Sequence, residues 1–239
     1  MLEKWLKESS YTVVFTGAGM STESGLPDFR SAKSGLWRTK NPQQLASTYA
    51  MQHNRDEFIV FYQYRIRTLL ECKPHVGHMI LADWQKRGLI DQIITQNVDG
   101  FHQQAGSTNV IELHGTLRTV HCSRCRQTYD AKRYVEEQFT CTCGGFLRPS
   151  VVLFGESLPY DAFEQAWTAA ERADLWIVLG SSLQVSPANE LPVIAKRSGA
   201  KLVIVNMEPT PLDDWADLLI HGRKIGEMLE EMDANYFKK

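Results

Sequence analysis

The 239-residue sequence predicts an α/β fold, an open, doubly wound parallel sheet with a smaller domain projecting from it. Three observations carry this expectation. Short apolar runs bounded by turn residues alternate with segments of helical periodicity, the pattern of strands buried on both faces and of their crossover helices. Polar clusters of unusual composition follow nearly every one of these runs. Two stretches break the alternation, and one of them holds four of the five cysteines.

Taken in order, Tyr11–Thr16 is the first strand, and "TGAG" follows it. Residues 31–75 form a long insertion with a helix over Asp56–Glu71. His75–Arg87 reads as a helix, and Ile90–Thr95 as a second strand ending in "TQNVDG". Val110–Leu113 is a third strand that leads into "LHG", and residues 116–149 carry the cysteines. Helix Ala162–Arg172 precedes strand Leu175–Leu179 and "GSSLQVSP". Helix Pro187–Ser198 precedes strand Leu202–Val205 and "VNMEPT". A weaker strand, Leu218–Ile220, and a helix over Lys224–Asp233 complete the chain. In such sheets ligands sit beyond the carboxyl ends of the strands, so five loops are expected to converge on one crevice. The division that follows is a Rossmann-like domain from residues 1–30, 76–115 and 150–239, and a small domain from residues 31–75 and 116–149.

Bulk composition narrows the class. With 43% apolar residues, 23% charged residues and a net charge of −2, nothing marks a global nucleic-acid or membrane surface. Met1–Ser10 is charged and amphipathic, without the apolar core of a signal peptide. No apolar run is long enough to span a bilayer, and a cytoplasmic location is expected.

The cysteines fall as Cys122-x-x-Cys125 and Cys141-x-Cys143-Gly144-Gly145, separated by 15 residues. In a reducing compartment two thiolate pairs at this distance suit one tetrahedral zinc of the ribbon type. Four sulfur ligands leave no open coordination position, so the zinc is expected to be structural. Cys72, on a helix, is read as a packing residue.

Gly17-Ala18-Gly19 after a buried strand lets backbone amides approach a phosphate. The third glycine of a dinucleotide fingerprint would stand at position 22, which is Thr22, and no acid-tipped second strand follows. Ordinary dehydrogenase geometry is therefore disfavoured. Gln96, Asn97 and Asp99 offer amides and a carboxylate to a carboxamide and ribose hydroxyls, or cap the next helix. His114 ends a buried strand and precedes Gly115, which suits a neutral imidazole acting as a general base. The other histidines, at 53, 75, 78, 102, 121 and 221, are read as surface or packing residues. No nucleophile–base signature is present, so the chemistry rests on a base and a bound dinucleotide.

Together "GAGMSTESGLPDFR", "TQNVDGFH", "ELHG", the two cysteine pairs, "VVLFGE", "LGSSLQVSPANEL" and "VIVNMEPT" resemble, in content and order, the sirtuins, NAD-dependent protein lysine deacylases. The resemblance covers roughly residues 5–230. It implies that Gly17, Ala18 and Gly19 meet the pyrophosphate of NAD, with Phe29 and Arg30 on the nicotinamide side. Gln96, Asn97 and Asp99 would contact nicotinamide and its ribose, Asn97 standing beside His114 as a catalytic residue. Gly180, Ser181, Ser182 and Asn206 would hold phosphate or the adenine-side ribose, and Ile225 would lie near the adenine. In Val151–Glu156, the residues Val152, Phe154, Gly155 and Glu156 would pair with an acyl-lysine peptide entering as an extended strand. The implied reaction moves the acyl group to the ribose after nicotinamide leaves, His114 removing the ribose proton, and gives free lysine and O-acyl-ADP-ribose.

Tyr62 and Arg65 stand at the Tyr-x-x-Arg spacing of sirtuins that remove acidic acyl groups such as succinyl or malonyl. A phenol and a guanidinium on one helix face make a receptor for a distal carboxylate. Ala32 would leave room for the longer chain, whereas "PDFR" keeps the aspartate usual in the deacetylating branch. Mono-ADP-ribosyl transfer or NAD hydrolysis in the same crevice is the enzymatic alternative. A DNA-binding regulator is disfavoured, because the basic residues of 116–149 lack interleaved aromatics. The expected partners are acyl-lysine proteins or peptides, with no membrane and no direct nucleic-acid binding.

Overall fold

The computed structural model describes residues 1–31 and 35–237 of the chain. In order, the elements are α1 (Leu2–Glu8), β1 (Thr12–Thr16), α2 (Pro42–Leu45), α3 (Thr48–His53), α4 (Arg55–Glu71), α5 (Val76–Lys86), β2 (Gln92–Thr95), α6 (Phe101–Gln104), β3 (Val110–Glu112), β4 (Gly115–Cys122) and β5 (Thr128–Asp130). There follow α7 (Lys132–Val135), β6 (Leu147–Val151), α8 (Tyr160–Arg172), β7 (Leu175–Leu179), α9 (Leu191–Arg197), β8 (Lys201–Asn206), β9 (Leu218–His221) and α10 (Ile225–Phe237).

Six strands form one sheet in the order β3-β2-β1-β7-β8-β9, every pair parallel. Alternation along β1 explains why it reads as a continuous apolar run. Val13 and Phe15 face a layer of α8 and α9 with Ala166, Ala170, Leu191 and Ala195. Val14 faces the opposite layer of α1, α5 and α10, with Leu6, Leu81, Trp84, Met228 and Leu229. The chain winds outward from β1 through β2 and β3, then returns to β7 on the other side of β1. The reversal point therefore lies between the ends of β1 and β7, which is where ligands bind in such sheets.

The second sheet is antiparallel, in the order β5-β4-β6. It packs with α4 and α7 around Phe58, Tyr62, Ile66, Val120, Tyr134 and Leu147, a core separate from the two that flank the large sheet. Two elements differ from expectation. Met1–Ser10 contains a helix, α1, anchored by Leu2 and Leu6 at i,i+4. The expected helix over 187–198 is divided into a 3₁₀ turn, Ala188–Glu190, and α9, because Pro192 lacks an N–H and sits in the first helical turn. No helix among the described residues is long and apolar enough to cross a membrane.

Candidate active site

The reversal point is built from backbone packed on backbone. The amide of Gly17 donates to Leu179 O at 3.1 Å and that of Gly19 to Gly180 O at 2.8 Å. A Cβ at Gly17 would stand 2.7 Å from Gly180 O, and one at Gly19 would stand 2.8 Å from Gly180 Cα. Gly180 itself has φ +65°, the left-handed region that favours glycine. The third glycine of this turn thus comes from the end of β7. Thr22, standing where a fingerprint glycine would be, lies in a 3₁₀ turn (Ala18–Ser24), and its hydroxyl donates to Gly19 O at 2.9 Å.

The loop after β2 is fixed to this turn by a buried network. Asn97 Nδ2 donates to Gly17 O at 2.9 Å and to Ser21 Oγ at 3.2 Å, and Ser21 Oγ donates to Asp99 Oδ2 at 2.7 Å. The Asn97 amide donates to Thr95 Oγ1 at 3.0 Å, and Thr95 in turn accepts from Thr16 Oγ1 at 2.7 Å. Behind this lie His78 and His102, rings 5.0 Å apart, with His102 Nε2 3.0 Å from Thr16 Oγ1. Burial raises the Asp99 carboxyl above its ordinary value, while hydrogen bonds from Phe101 N and Ser21 pull the other way.

His114 stands where β3 turns into the small domain. Gly115 has φ +71°, and a Cβ there would meet Ser150 O at 2.2 Å, so glycine is what permits the reversal. His114 Nδ1 is 2.9 Å from the carbonyl of Gln96. A carbonyl only accepts, so Nδ1 carries the proton and Nε2 keeps its lone pair. Burial lowers the His114 pKa; the Gln96 hydrogen bond opposes this and the Arg30 charge adds to it. The ring is thereby held as a neutral acceptor.

Aromatic side chains form the far wall. Phe29 stacks on Trp37 at 5.3 Å between centroids, and Trp37 meets Phe154 edge-on at 6.3 Å. The Arg65 guanidinium lies 5.0 Å from the Phe29 centroid and 5.7 Å from that of Tyr62. Burial pushes the Tyr62 hydroxyl up to about 12 despite the Arg65 charge, and Arg65 is itself lowered by burial. In the segment after β6, Val152 N donates to His114 O at 2.9 Å. Phe154 N donates to Ala46 O at 3.0 Å and its carbonyl accepts from Thr48 N at 3.0 Å. Phe154 therefore spends its peptide groups within the fold.

These elements enclose one cleft of about 1160 Å³. It is lined by Gly17, Ala18, Gly19, Phe29, Arg30, Gln96, Asn97, Asp99, His114, Gly180, Ser181, Ser182, Asn206 and Ile225, and by Tyr62, Arg65, Val152, Phe154, Gly155 and Glu156. Every candidate site residue outside the cysteine cluster is thus gathered at one place. Ala32 lies outside the described residues. Two residues that sequence reasoning passes over also line the cleft: Ser21, inside a quoted motif but without its own signal, and Trp37, in the insertion; a third, Arg148, which counts in the sequence only as one basic residue of the cysteine-bearing stretch, does not line it but pairs with Glu156, which does.

The four cysteines meet in the small domain, their sulfurs within 4.8 Å of one another. Cys122 and Cys143 sulfurs are 3.5 Å apart, and those of Cys125 and Cys141 3.6 Å. A tetrahedral zinc with bonds near 2.3 Å spaces its sulfurs by about 3.8 Å, so the set fits that ion. Amides of Arg124 and Cys125 reach Cys122 Sγ at 3.4 and 3.5 Å, and the Tyr129 hydroxyl lies 3.1 Å from Cys141 Sγ. Such donors favour thiolates. The one-residue contraction to Cys141-x-Cys143 is accommodated by the tight turn at Gly144 and Gly145. Cys72 packs at the edge of the small-domain core.

Residues 17–187 match the model of the Sir2 family. An "NAD-dependent protein deacetylase 1" of Geobacillus kaustophilus (strain HTA426) is 63% identical over 97% of this chain and 96% of its own length. The "NAD-dependent protein deacetylase" of Oceanobacillus iheyensis is 58% identical over 97% of this chain and 98% of its own. Among solved structures, a Sir2 histidine-to-alanine variant with deacetylated p53 peptide and 3′-O-acetyl-ADP-ribose superposes with a TM-score of 0.93 at 40% identity, covering 98% of this chain and 96% of that one. A Sir2–p53 peptide–NAD⁺ complex gives 0.89 at 41% identity, covering 98% and 96%. The fold, the cleft and these likenesses agree: the chain belongs to the Sir2 family.

Proposed function

We propose that this chain is an NAD-dependent protein deacylase that removes acetyl groups from lysine side chains, releasing nicotinamide and O-acyl-ADP-ribose. The observation that carries the reading is one cleft holding both a backbone-lined dinucleotide turn and a neutral imidazole aimed into it. NAD, when bound, supplies the ADP-ribosyl group that accepts the acyl. The glycine turn, where a side chain would collide with Gly180, lets a pyrophosphate approach closely; the Gly17 and Gly19 amides are spent on Leu179 O and Gly180 O, and the Ala18 amide between them is the one left to donate. Gly180, Ser181, Ser182, Asn206 and Ile225 line the adenosine end, and Asn97 and Asp99 the nicotinamide end.

His114 serves as the base: its Nε2 takes a proton from a ribose hydroxyl while Gln96 O holds Nδ1–H. Phe29 and Trp37 keep water from the reacting centre. Beside them the acyl-lysine side chain enters past Val152, whose amide is tied to His114 O. The large sheet with its flanking helices carries the dinucleotide, while the division at residues 31–75 and 116–149 sets a small domain against it. There Cys122, Cys125, Cys141 and Cys143 hold a zinc that is structural and remote from the chemistry.

The finer reading concerns the acyl group. Arg65 lies against Phe29 and beside Tyr62 in the cleft, and forms no ion pair among the described residues. A guanidinium held by the Tyr62 hydroxyl but by no carboxylate suits a distal carboxylate, so succinyl-lysine is turned over beside acetyl-lysine. Matched acetyl and succinyl peptides, followed by mass spectrometry with NAD, test both levels. Loss of the succinyl activity alone in Arg65→Met supports the receptor. NAD consumption without peptide deacylation would instead indicate hydrolysis or ADP-ribosyl transfer.

A further inference from the structure

Arg148, in β6, is 5% exposed, and its guanidinium is used on every side. Nη1 and Nη2 donate to the two Glu156 carboxylate oxygens at 2.5 and 3.0 Å. Nη2 also donates to Val151 O at 2.6 Å, and Nε to Pro149 O at 3.3 Å. Glu156 completes the loop by accepting the Leu153 amide at 2.8 Å, while its own amide donates to Leu153 O at 2.9 Å. The segment 149–156 is thus laced around one ion pair, with side-chain or backbone bonds at 149, 151, 153 and 156. Val152, at the centre of the lacing, faces the other way. Its amide reaches His114 O, and its carbonyl has no hydrogen-bond partner among the described residues.

We infer that Arg148, through Glu156, is a positioning residue that sets Val152 against His114 and so fixes the wall past which the acyl-lysine side chain enters. This rests on the deacylase reading and gives Glu156 a different part in it, as a shaping group rather than a contact with the peptide. A bidentate pair whose guanidinium is buried has the directionality for this, since a planar fork fixes both distance and angle. Burial opposes the charge on Glu156, yet the Arg148 and Leu153 hydrogen bonds hold its carboxyl below the ordinary value. The pair is therefore ionised at neutral pH. Misplacing a substrate-positioning group by about 1 Å costs on the order of 100-fold in rate. The peptide half of the reaction is accordingly the part that depends on this pair, and the NAD half is not.

The test is a set of steady-state measurements on zinc-loaded wild type, Arg148→Lys, Arg148→Met and the double variant Arg148→Met/Glu156→Leu. KM for acetyl-lysine peptide and for NAD are read separately, with direct peptide binding by fluorescence anisotropy and a melting curve for each protein. Arg148→Met is expected to raise the peptide KM on the order of 10- to 100-fold with the NAD KM unchanged. Arg148→Lys, which keeps the charge but not the fork, is expected to fall between. The double variant leaves no buried charge unpaired, so it is expected to melt near wild type. Its peptide KM is nonetheless expected to stay raised. If Arg148→Met proves unstable, the double variant alone decides. A wild-type peptide KM in the folded double variant would overturn the inference, as would equal losses for peptide and NAD. A wild type that binds peptide but does not deacylate it would instead overturn the deacylase reading beneath it.

Discussion

Lowering the pH is expected to destabilise this fold through two histidines that the chemistry never touches. His78 and His102 are 0% and 1% exposed, packed against Phe101, His75 and the hydroxyls that hold Asn97. Burial, reinforced by neighbouring imidazoles, pushes the His78 pKa down to about 2 and that of His102 down to about 3. Unfolded, each titrates near 6.5. The folded state thus refuses a proton that the unfolded state accepts, and stability present above about pH 6.5 is lost as pH falls. Each histidine contributes up to about 1.4 kcal/mol per pH unit, or about 2.3 kcal/mol between pH 6.5 and 4.5 where the slope starts at half its full value, so the pair accounts for about 5 kcal/mol. Both folded values lie below this window, so the unfolded value alone sets the loss. That is a large part of a typical domain stability of about 5–15 kcal/mol. Urea unfolding followed by circular dichroism at successive pH values reads the slope. His78→Gln, which cannot titrate, is expected to flatten it by about 1.4 kcal/mol per pH unit. The zinc thiolates, and Asp99 and Glu112, whose carboxyls burial raises and which act in the opposite sense, are common to both proteins and cancel in the difference. Equal slopes in wild type and variant would refute the reasoning.

Three further outcomes follow from the same geometry. His114→Ala is expected to lower deacylation by roughly 10²–10⁴-fold with an unchanged melting curve. In wild type the acidic limb of the pH–rate profile is expected below the ordinary imidazole value, because burial lowers the His114 pKa and the base works neutral. Near wild-type turnover in the variant would remove His114 from the base role. Gly180→Ala places a Cβ 2.4 Å from Met20 N at a φ of +65°. Strain and overpacking there are expected to cost roughly 2–4 kcal/mol and to raise the NAD KM, read by urea midpoint and kinetics. Cys141→Ala is expected to release the metal, measured by elemental analysis, and to melt the small domain earlier; full zinc retention would contradict the four-thiolate site.

The parallel strands are legible in the sequence because burial on both faces makes each an unbroken apolar run, and β7 is read to its exact ends. The loops that follow are legible because the sheet rule sends them to one crevice. The small sheet is not, since β5 has three residues, mostly exposed, and β4 is buried only at Leu117, Val120 and Cys122, a spacing without the regular alternation that marks a half-buried strand. Helix α1 escapes because seven residues with two anchoring leucines are too few for periodicity to speak. Contacts across the chain are the least visible. Gly180 completes a turn that begins at Gly17, Ser21 meets Asp99, and His102 braces Thr16. Each pairing is set by the register of strands far apart in sequence. Arg148 and Glu156 are only eight residues apart, yet their pairing depends on a bend that no composition rule encodes.

The most direct test is a single assay: zinc-loaded protein, NAD and an acetyl-lysine peptide, with products weighed by mass spectrometry. Stoichiometric nicotinamide, free lysine peptide and O-acetyl-ADP-ribose are expected, and their loss in His114→Ala ties the chemistry to the cleft. Free ADP-ribose, or ADP-ribose attached to protein, with the peptide still acetylated would contradict deacylation.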